Sequence, residues 1–128
     1  MTMQAPLLHD FYSIDKIQLD AESIEAQVTF HIEHPIFKGH FPDVPIVPGV
    51  CQTQMLGEVL SHGVDLDLLL HSASSIKFLA VVNPTVNKSL NMYIHYAIQD
   101  GDIYAVTAIY KWQDQSFFKF KGTYKSVS

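Results

Sequence analysis

The sequence has one cysteine, no arginine and few charges of either sign. A lone Cys51 excludes an internal disulfide. Charged residues make up only 16% of the 128 positions, against 48% hydrophobic and 12% aromatic. That balance excludes a disordered tail or a nucleic-acid arm, which are rich in charge and poor in apolar side chains. All eight basic residues are lysines, and the 13 acidic residues bring the net charge to −5, unfavourable for non-specific contact with nucleic acid. No apolar run is long enough to span a bilayer and no basic-then-apolar leader stands at the start, so a cytoplasmic location is expected. Internal repeats and low-complexity segments are absent too, and the length suits one domain over residues 1–128. So much apolar content with so little charge points to surface covered by a partner subunit.

Proline is concentrated rather than scarce. Pro35, Pro42, Pro45 and Pro48, four of the six in the chain, fall between His34 and Pro48, each fixing its own φ and pushing its predecessor toward extended backbone. This reading predicts a stiff, non-helical segment up to Pro48. From Val50 onward, apolar Cys51, Met55, Leu56, Val59 and Leu60 alternate with polar Gln54, Glu58, Ser61 and His62 at helical spacing, ending near Gly63. Pro48 suits a first helical turn, and no Ser, Thr, Asp or Asn stands before it to cap the early N–H groups. Those donors are free for a carbonyl or an anion.

Around this helix the chain predicts strands. Residues 1–10 have no pattern and read as a loosely docked N-terminus. Phe11 to Leu19 and the strictly alternating stretch from Ile24 to Ile32 precede the helix. Asp65 to Leu70 reads as a turn of helix or a connector, and Ser74 to Val82 as a strand stopped at Asn83-Pro84. Leu90 to Ile98, a turn at Asp100-Gly101, Ile103 to Trp112, and Phe117 to Tyr124 complete the pattern. Phe118, Phe120 and Tyr124 share one face of the last strand, opposite Lys119, Lys121 and Lys125. One apolar helix against a large antiparallel sheet is an α+β architecture with the helix as its core.

The order Gly39-His40-Phe41-Pro42, then Pro45-Ile46-Val47-Pro48-Gly49-Val50, resembles the signature of the β-hydroxyacyl-acyl carrier protein dehydratases of the FabA and FabZ type. The resemblance implies a hotdog fold, a long central helix wrapped by an antiparallel sheet, and loss of water from a 3-hydroxyacyl thioester. That reaction needs a base for the C2 proton, an acid for the departing hydroxyl, and donors for the thioester carbonyl. By position His40 matches the family base, and Gly49 the glycine whose N–H holds the carbonyl, with Phe41, Pro48 and Val50 lining the acyl chain. The family carries Glu or Asp five residues after that glycine, working with the histidine of the other subunit. Here that position is Gln54, and an amide does not give up a proton as a carboxylic acid does. Glu58 lies one turn on, about 6 Å along the axis, where many family members carry glutamine. The two residue types are exchanged, which makes Glu58 the candidate acid. The resemblance also implies a homodimer and an acyl carrier protein as partner. An acidic carrier would dock on the local lysine surface of Lys77, Lys88, Lys111, Lys119, Lys121 and Lys125.

Blander readings stand beside these. His40 can be a loop histidine bonded to backbone, Gly49 a packing glycine, and Glu58 a solvated or interface carboxylate. Cys51 lacks a triad-like order around it and reads as a small apolar residue. The other histidines have no zinc spacing, and neither a metal nor a cofactor is expected. Two alternatives to a dehydratase remain: an impaired acyl-binding subunit that pairs with an active partner, fed by Gln54, and a hotdog thioesterase, which the His40 and Pro48-Gly49 motif argues against.

Overall fold

The computed structural model describes residues 6–39 and 45–127. His40 and Phe41, the expected base and one of the expected lining residues, lie outside them. The elements run β1 (Tyr12–Leu19), β2 (Ser23–Phe30), α1 (Pro35–Gly39), α2 (Gly49–Val64), β3 (Leu68–Phe78), β4 (Ser89–Asp100), β5 (Ile103–Trp112) and β6 (Gln115–Ser126). The six strands form one antiparallel sheet in the order β1-β2-β4-β5-β6-β3. Because β3 follows α2 and returns to the far side of β6, the helix must cross the sheet, and β1 and β3 are left as its two edges.

Alternation decides which face meets the helix. Ile24, Ala26, Val28 and Phe30 of β2 are buried while Glu25 points outward, and register with β4 places Ala26 beside Met92 and Val28 beside Leu90. The buried row continues through Val106, Ala108 and Tyr110 of β5 to Phe118, Phe120 and Tyr124 of β6. Against it α2 buries Cys51, Gln52, Met55, Leu56, Val59 and Leu60. Burial of each large side chain there is worth roughly 1.5–3 kcal/mol, which is why this face sets the register. The turn at Asp100-Gly101 uses Gly101 at φ 64, where a side chain would be strained.

Four local expectations are corrected. The proline-rich segment does contain helix: α1 begins at Pro35, whose missing N–H costs nothing at a first helical position. α2 passes Gly63 and stops at Asp65, which takes the left-handed φ of 59 and donates its N–H to the Ser61 carbonyl. β3 spans Leu68–Phe78, beginning inside the stretch read as a connector and stopping before Val82. Residues 1–5 lie outside the described residues, but residues 7–11 are docked rather than loose: Asp10 and Phe11 N–H both reach the Leu7 carbonyl, and Phe11 is fully buried. Phe11 stacks on Phe37 of α1 at 4.8 Å and meets Phe30 and His34 edge-on.

Candidate active site

α2 opens at Gly49 with Pro48 as its N-cap residue, at φ −61 and ψ 147, and no side chain caps it. The Pro48 carbonyl accepts from Cys51 and Gln52 N–H at 3.0 and 3.1 Å, while the aligned peptide dipoles leave partial positive charge at this end. Gly49 lies under the ring of Phe78, where an added Cβ would stand 2.9 Å from the ring tip. Close packing therefore uses the missing side chain at Gly49. Phe78 itself is 52% exposed, and exposed Val50, Leu79 and Val81 belong to the segments that meet here, joined by the Val47 N–H to Val82 carbonyl bond. An apolar patch thus surrounds an uncapped helix start.

Farther along, Cys51, Gln54 and Glu58 lie on one stripe of the helix, spaced i, i+3, i+7. The stripe is polar because Glu58 collects donors. Its Oε2 accepts from Leu7 N at 2.8 Å and from Gln54 Nε2 at 2.9 Å, and its Oε1 from Leu8 N at 3.0 Å and Tyr12 Oη at 2.9 Å. Both Glu58 oxygens thus accept in this arrangement, two bonds each. Burial, and then the Glu58 charge and hydrogen bond, push the Tyr12 phenol far up from its ordinary value. Burial followed by the same carboxylate raises the Cys51 thiol, which disfavours the thiolate a nucleophile needs. Cys51 is buried packing, as expected.

Gln52 was not singled out by sequence. It is 3% exposed, donates Nε2 to the Val47 carbonyl at 3.2 Å, and keeps Oε1 buried without a partner among the described residues, while its backbone carbonyl accepts from Tyr110 Oη at 2.7 Å. The available signal was a polar residue within the buried face of an apolar helix. Here it ties the extended Val47 to the first turn of α2. Tyr12 and the Leu7–Leu8 backbone were missed as well, for want of any local pattern. Of the expected site residues the structure brings Pro48, Gly49 and Val50 together at the helix start, and joins Gln54 to Glu58. Among the described residues no group of three or more His, Cys, Asp or Glu could hold a metal ion. His31 turns Nδ1 to the Asp10 carbonyl, and His34 accepts from Ile36 N–H. No helix of the described residues is long and apolar enough to cross a membrane.

The sequence profile of the ApeI-like family, described as ApeI dehydratase, matches residues 16–117. The chain belongs to the ApeI-like dehydratase family. A 3-hydroxyacyl-[acyl-carrier-protein] dehydratase FabZ of Chlamydia caviae is 32% identical over 113 residues, covering 80% of this chain and 64% of that protein. A FabZ of Chlamydia pneumoniae is 37% identical over 70 residues, covering 52% and 44%. The chain thus spans less than two thirds of the length of these relatives. The dehydratase heterocomplex ApeI:P from Xenorhabdus doucetiae superposes with a TM-score of 0.73 at 20% identity, covering 88% of this chain and 96% of that one. A hypothetical thioesterase with coenzyme A from Streptococcus pneumoniae superposes at 0.63 and 12%, covering 91% and 86%. At such identities the neighbours establish the hotdog fold of this ApeI-like family member, and fold by itself does not separate dehydratase from thioesterase.

Proposed function

We propose that this chain removes water from a 3-hydroxyacyl thioester on an acyl carrier protein, giving the trans-2-enoyl thioester in cytoplasmic fatty acid or polyene synthesis. The observation that carries the reading is the uncapped start of α2 at Pro48-Gly49, set in an exposed apolar patch and followed by the Gln54–Glu58 pair. In this reading Gly49 N–H receives the thioester carbonyl and the helix dipole stabilises charge that develops there. Phe41, Pro48 and Val50 bound the acyl chain. His40, which follows α1 directly in sequence, removes the C2 proton; the hydroxyl leaves with a proton as water, so the reaction moves one proton from carbon to oxygen overall. The carrier protein docks on the outward lysines, where Lys77 and Lys119 stand opposite each other across β3 and β6 and Lys121 follows. Like charges in register cost stability, which an acidic partner would offset.

Assembly as a homodimer is part of the proposal. β3 is an open edge with exposed Leu70, Ile76 and Phe78, the kind of strand another chain pairs with. Gln54 favours a second reading, in which the chain is an acyl-binding subunit whose acid comes from an active partner dehydratase. The structural neighbour is itself a dehydratase heterocomplex.

The test is an enoyl-forming assay with a 3-hydroxyacyl carrier protein on wild type and His40→Ala. A general base contributes roughly 10²–10⁴-fold, so activity should fall by that factor with the fold intact. A variant within threefold of wild type removes His40 from the base role. A wild type that is inert alone and active when mixed with a dehydratase partner selects the second reading, and release of a free thiol selects a thioesterase.

A further inference from the structure

We propose that the face of the sheet turned away from α2 binds a nucleoside phosphate, with the phosphate on Lys77, Lys119 and Lys121 and the nucleobase against Tyr93 and Ile109. This face lies across the sheet from the helix start, so the proposal does not depend on the acyl-thioester reading. It uses lysines named above for the carrier protein, and occupancy by one ligand excludes the other.

Strand register lays the residues out as two adjacent rows. One runs Lys77, Lys119, Ile109 and Tyr93 over β3, β6, β5 and β4, and the next runs Ser75, Lys121, Thr107 and His95 over the same strands. Backbones of neighbours within a row stand ~4.8 Å apart. The cations therefore occupy the half over β3 and β6, and the aromatic and apolar side chains the half over β5 and β4. Together they line a cleft of about 330 Å³, at the small end of the ~300–1,000 Å³ usual for ligand sites.

No carboxylate lines this cleft. Among the described residues its three lysines make no ion pair, and the side chains of Ser75, Tyr93, His95 and Thr107 make no hydrogen bond. Lys77 and Lys119, directly opposite each other, repel. A dianionic phosphate between them turns that repulsion into attraction, and the Ser75 and Thr107 hydroxyls can donate to its remaining oxygens. Exposed Glu25 stands opposite Tyr93 on β2 and bounds the other half. Negative charge is repelled there, so the ligand carries its charge at the lysine end and a neutral group at the tyrosine end. An acidic protein segment would use the lysines and leave Tyr93 and Ile109 idle. A nucleoside phosphate uses both halves, because every nucleobase has a π-face to stack on an aromatic side chain.

The experiment titrates the purified chain by calorimetry with adenosine monophosphate, inorganic phosphate and adenosine. The nucleotide should bind at least about fivefold more tightly than phosphate, the contribution of one stacked base. Lys119→Ala and Lys121→Ala should each weaken nucleotide binding about tenfold, the loss of one charge-assisted hydrogen bond. Tyr93→Leu should lower the affinity for the nucleotide to that for phosphate and leave phosphate binding unchanged. Lys16→Ala, on β1 outside the cleft, should bind as wild type. A nucleotide bound no better than phosphate, or bound equally well by Tyr93→Leu, overturns the proposal. So does Lys16→Ala as damaging as Lys119→Ala, which would reduce the effect to general charge. The lysine variants decide if Tyr93→Leu does not fold. Binding of an acidic carrier protein with no binding of the nucleotide would make this face a protein-docking surface alone, and would overturn the nucleotide site while supporting the carrier surface.

Discussion

The two edges of the sheet are built in opposite ways. β1 carries Asp15 and Lys16 at its exposed middle, and a register shift between Ile14 and Lys16 interrupts its pairing with β2. A charged, bulged edge resists pairing with another chain. β3 is 11 residues long, carries Lys77 as its one Lys, Asp or Glu, and leaves Leu70, Ile76 and Phe78 at 46%, 37% and 52% exposure. Those three side chains lie opposite Tyr124, Phe120 and Phe118 in the register. They therefore extend the buried face of β6 to the sheet edge, where Phe78 covers Gly49 at the start of α2. Exposed apolar side chains stand elsewhere too, among them Leu19, Ile32, Val86 and Ile98, but Ile76, Phe78, Leu79 and Val81 make a run along the end of β3 next to the start of α2, and β1 is the edge less suited to pairing.

The largest expected effect comes from unseating β3. A Cβ on Gly122 would stand 2.3 Å from the Ser72 carbonyl and 2.9 Å from Ala73 Cα, both backbone atoms that no rotamer change can move. Gly122→Ala should cost about 1–3 kcal/mol by chemical denaturation, and should also weaken self-association because the edge itself is displaced. A wild-type denaturation midpoint would show that β3 shifts freely.

Alkaline pH tests both sides of the sheet together. Tyr12 of β1, Tyr110 of β5 and Tyr124 of β6 are buried, and burial is the first cause of a raised phenol pKa in each. Below the ordinary phenol value of about 10, folded and unfolded chains both keep these protons and stability is complete. Above it the unfolded chain loses them first. The fold should then lose about 1.4 kcal/mol per pH unit per buried tyrosine. Tyrosinate absorbance should appear together with unfolding; titration of Tyr12 or Tyr124 in the intact fold would contradict their burial.

A sharper test of the contrast is Ile76→Lys against Lys16→Ala. A charge on the β3 edge should weaken self-association at least tenfold by sedimentation, roughly the effect of 1.4 kcal/mol, whereas the β1 variant should match wild type. Equal effects, or none, would remove β3 as the pairing edge. The smallest change expected is Tyr12→Phe. It deletes one of the four bonds to Glu58 and should cost about 1 kcal/mol of stability, leaving the Gln54 contact in place. A much larger loss would mean that the mooring depends on the phenol rather than on the Leu7 and Leu8 amides.

The strand from Ile24, the helix from Pro48 and the strands after Leu90 were legible in sequence because each carries its own period, and a period is a property of neighbouring residues. The Pro48-Gly49 start of the helix was legible as well, since it follows from position within one motif. The short helix at Pro35 was not, because proline rules say where a helix stops and leave open that one begins at the proline itself. Nor was the docking of residues 7–11, held by partners far along the chain. What Glu58 does depends on groups about fifty residues away, the Leu7 and Leu8 amides and the Tyr12 hydroxyl. Those groups announce nothing locally, since backbone N–H is the same in every residue but proline. The sequence alone therefore determined the long helix, the six strands in their order and the chemistry available at the helix start. The tertiary structure decided which edge stayed open and which donors claimed the carboxylate, because both depend on what the folded chain places next to them.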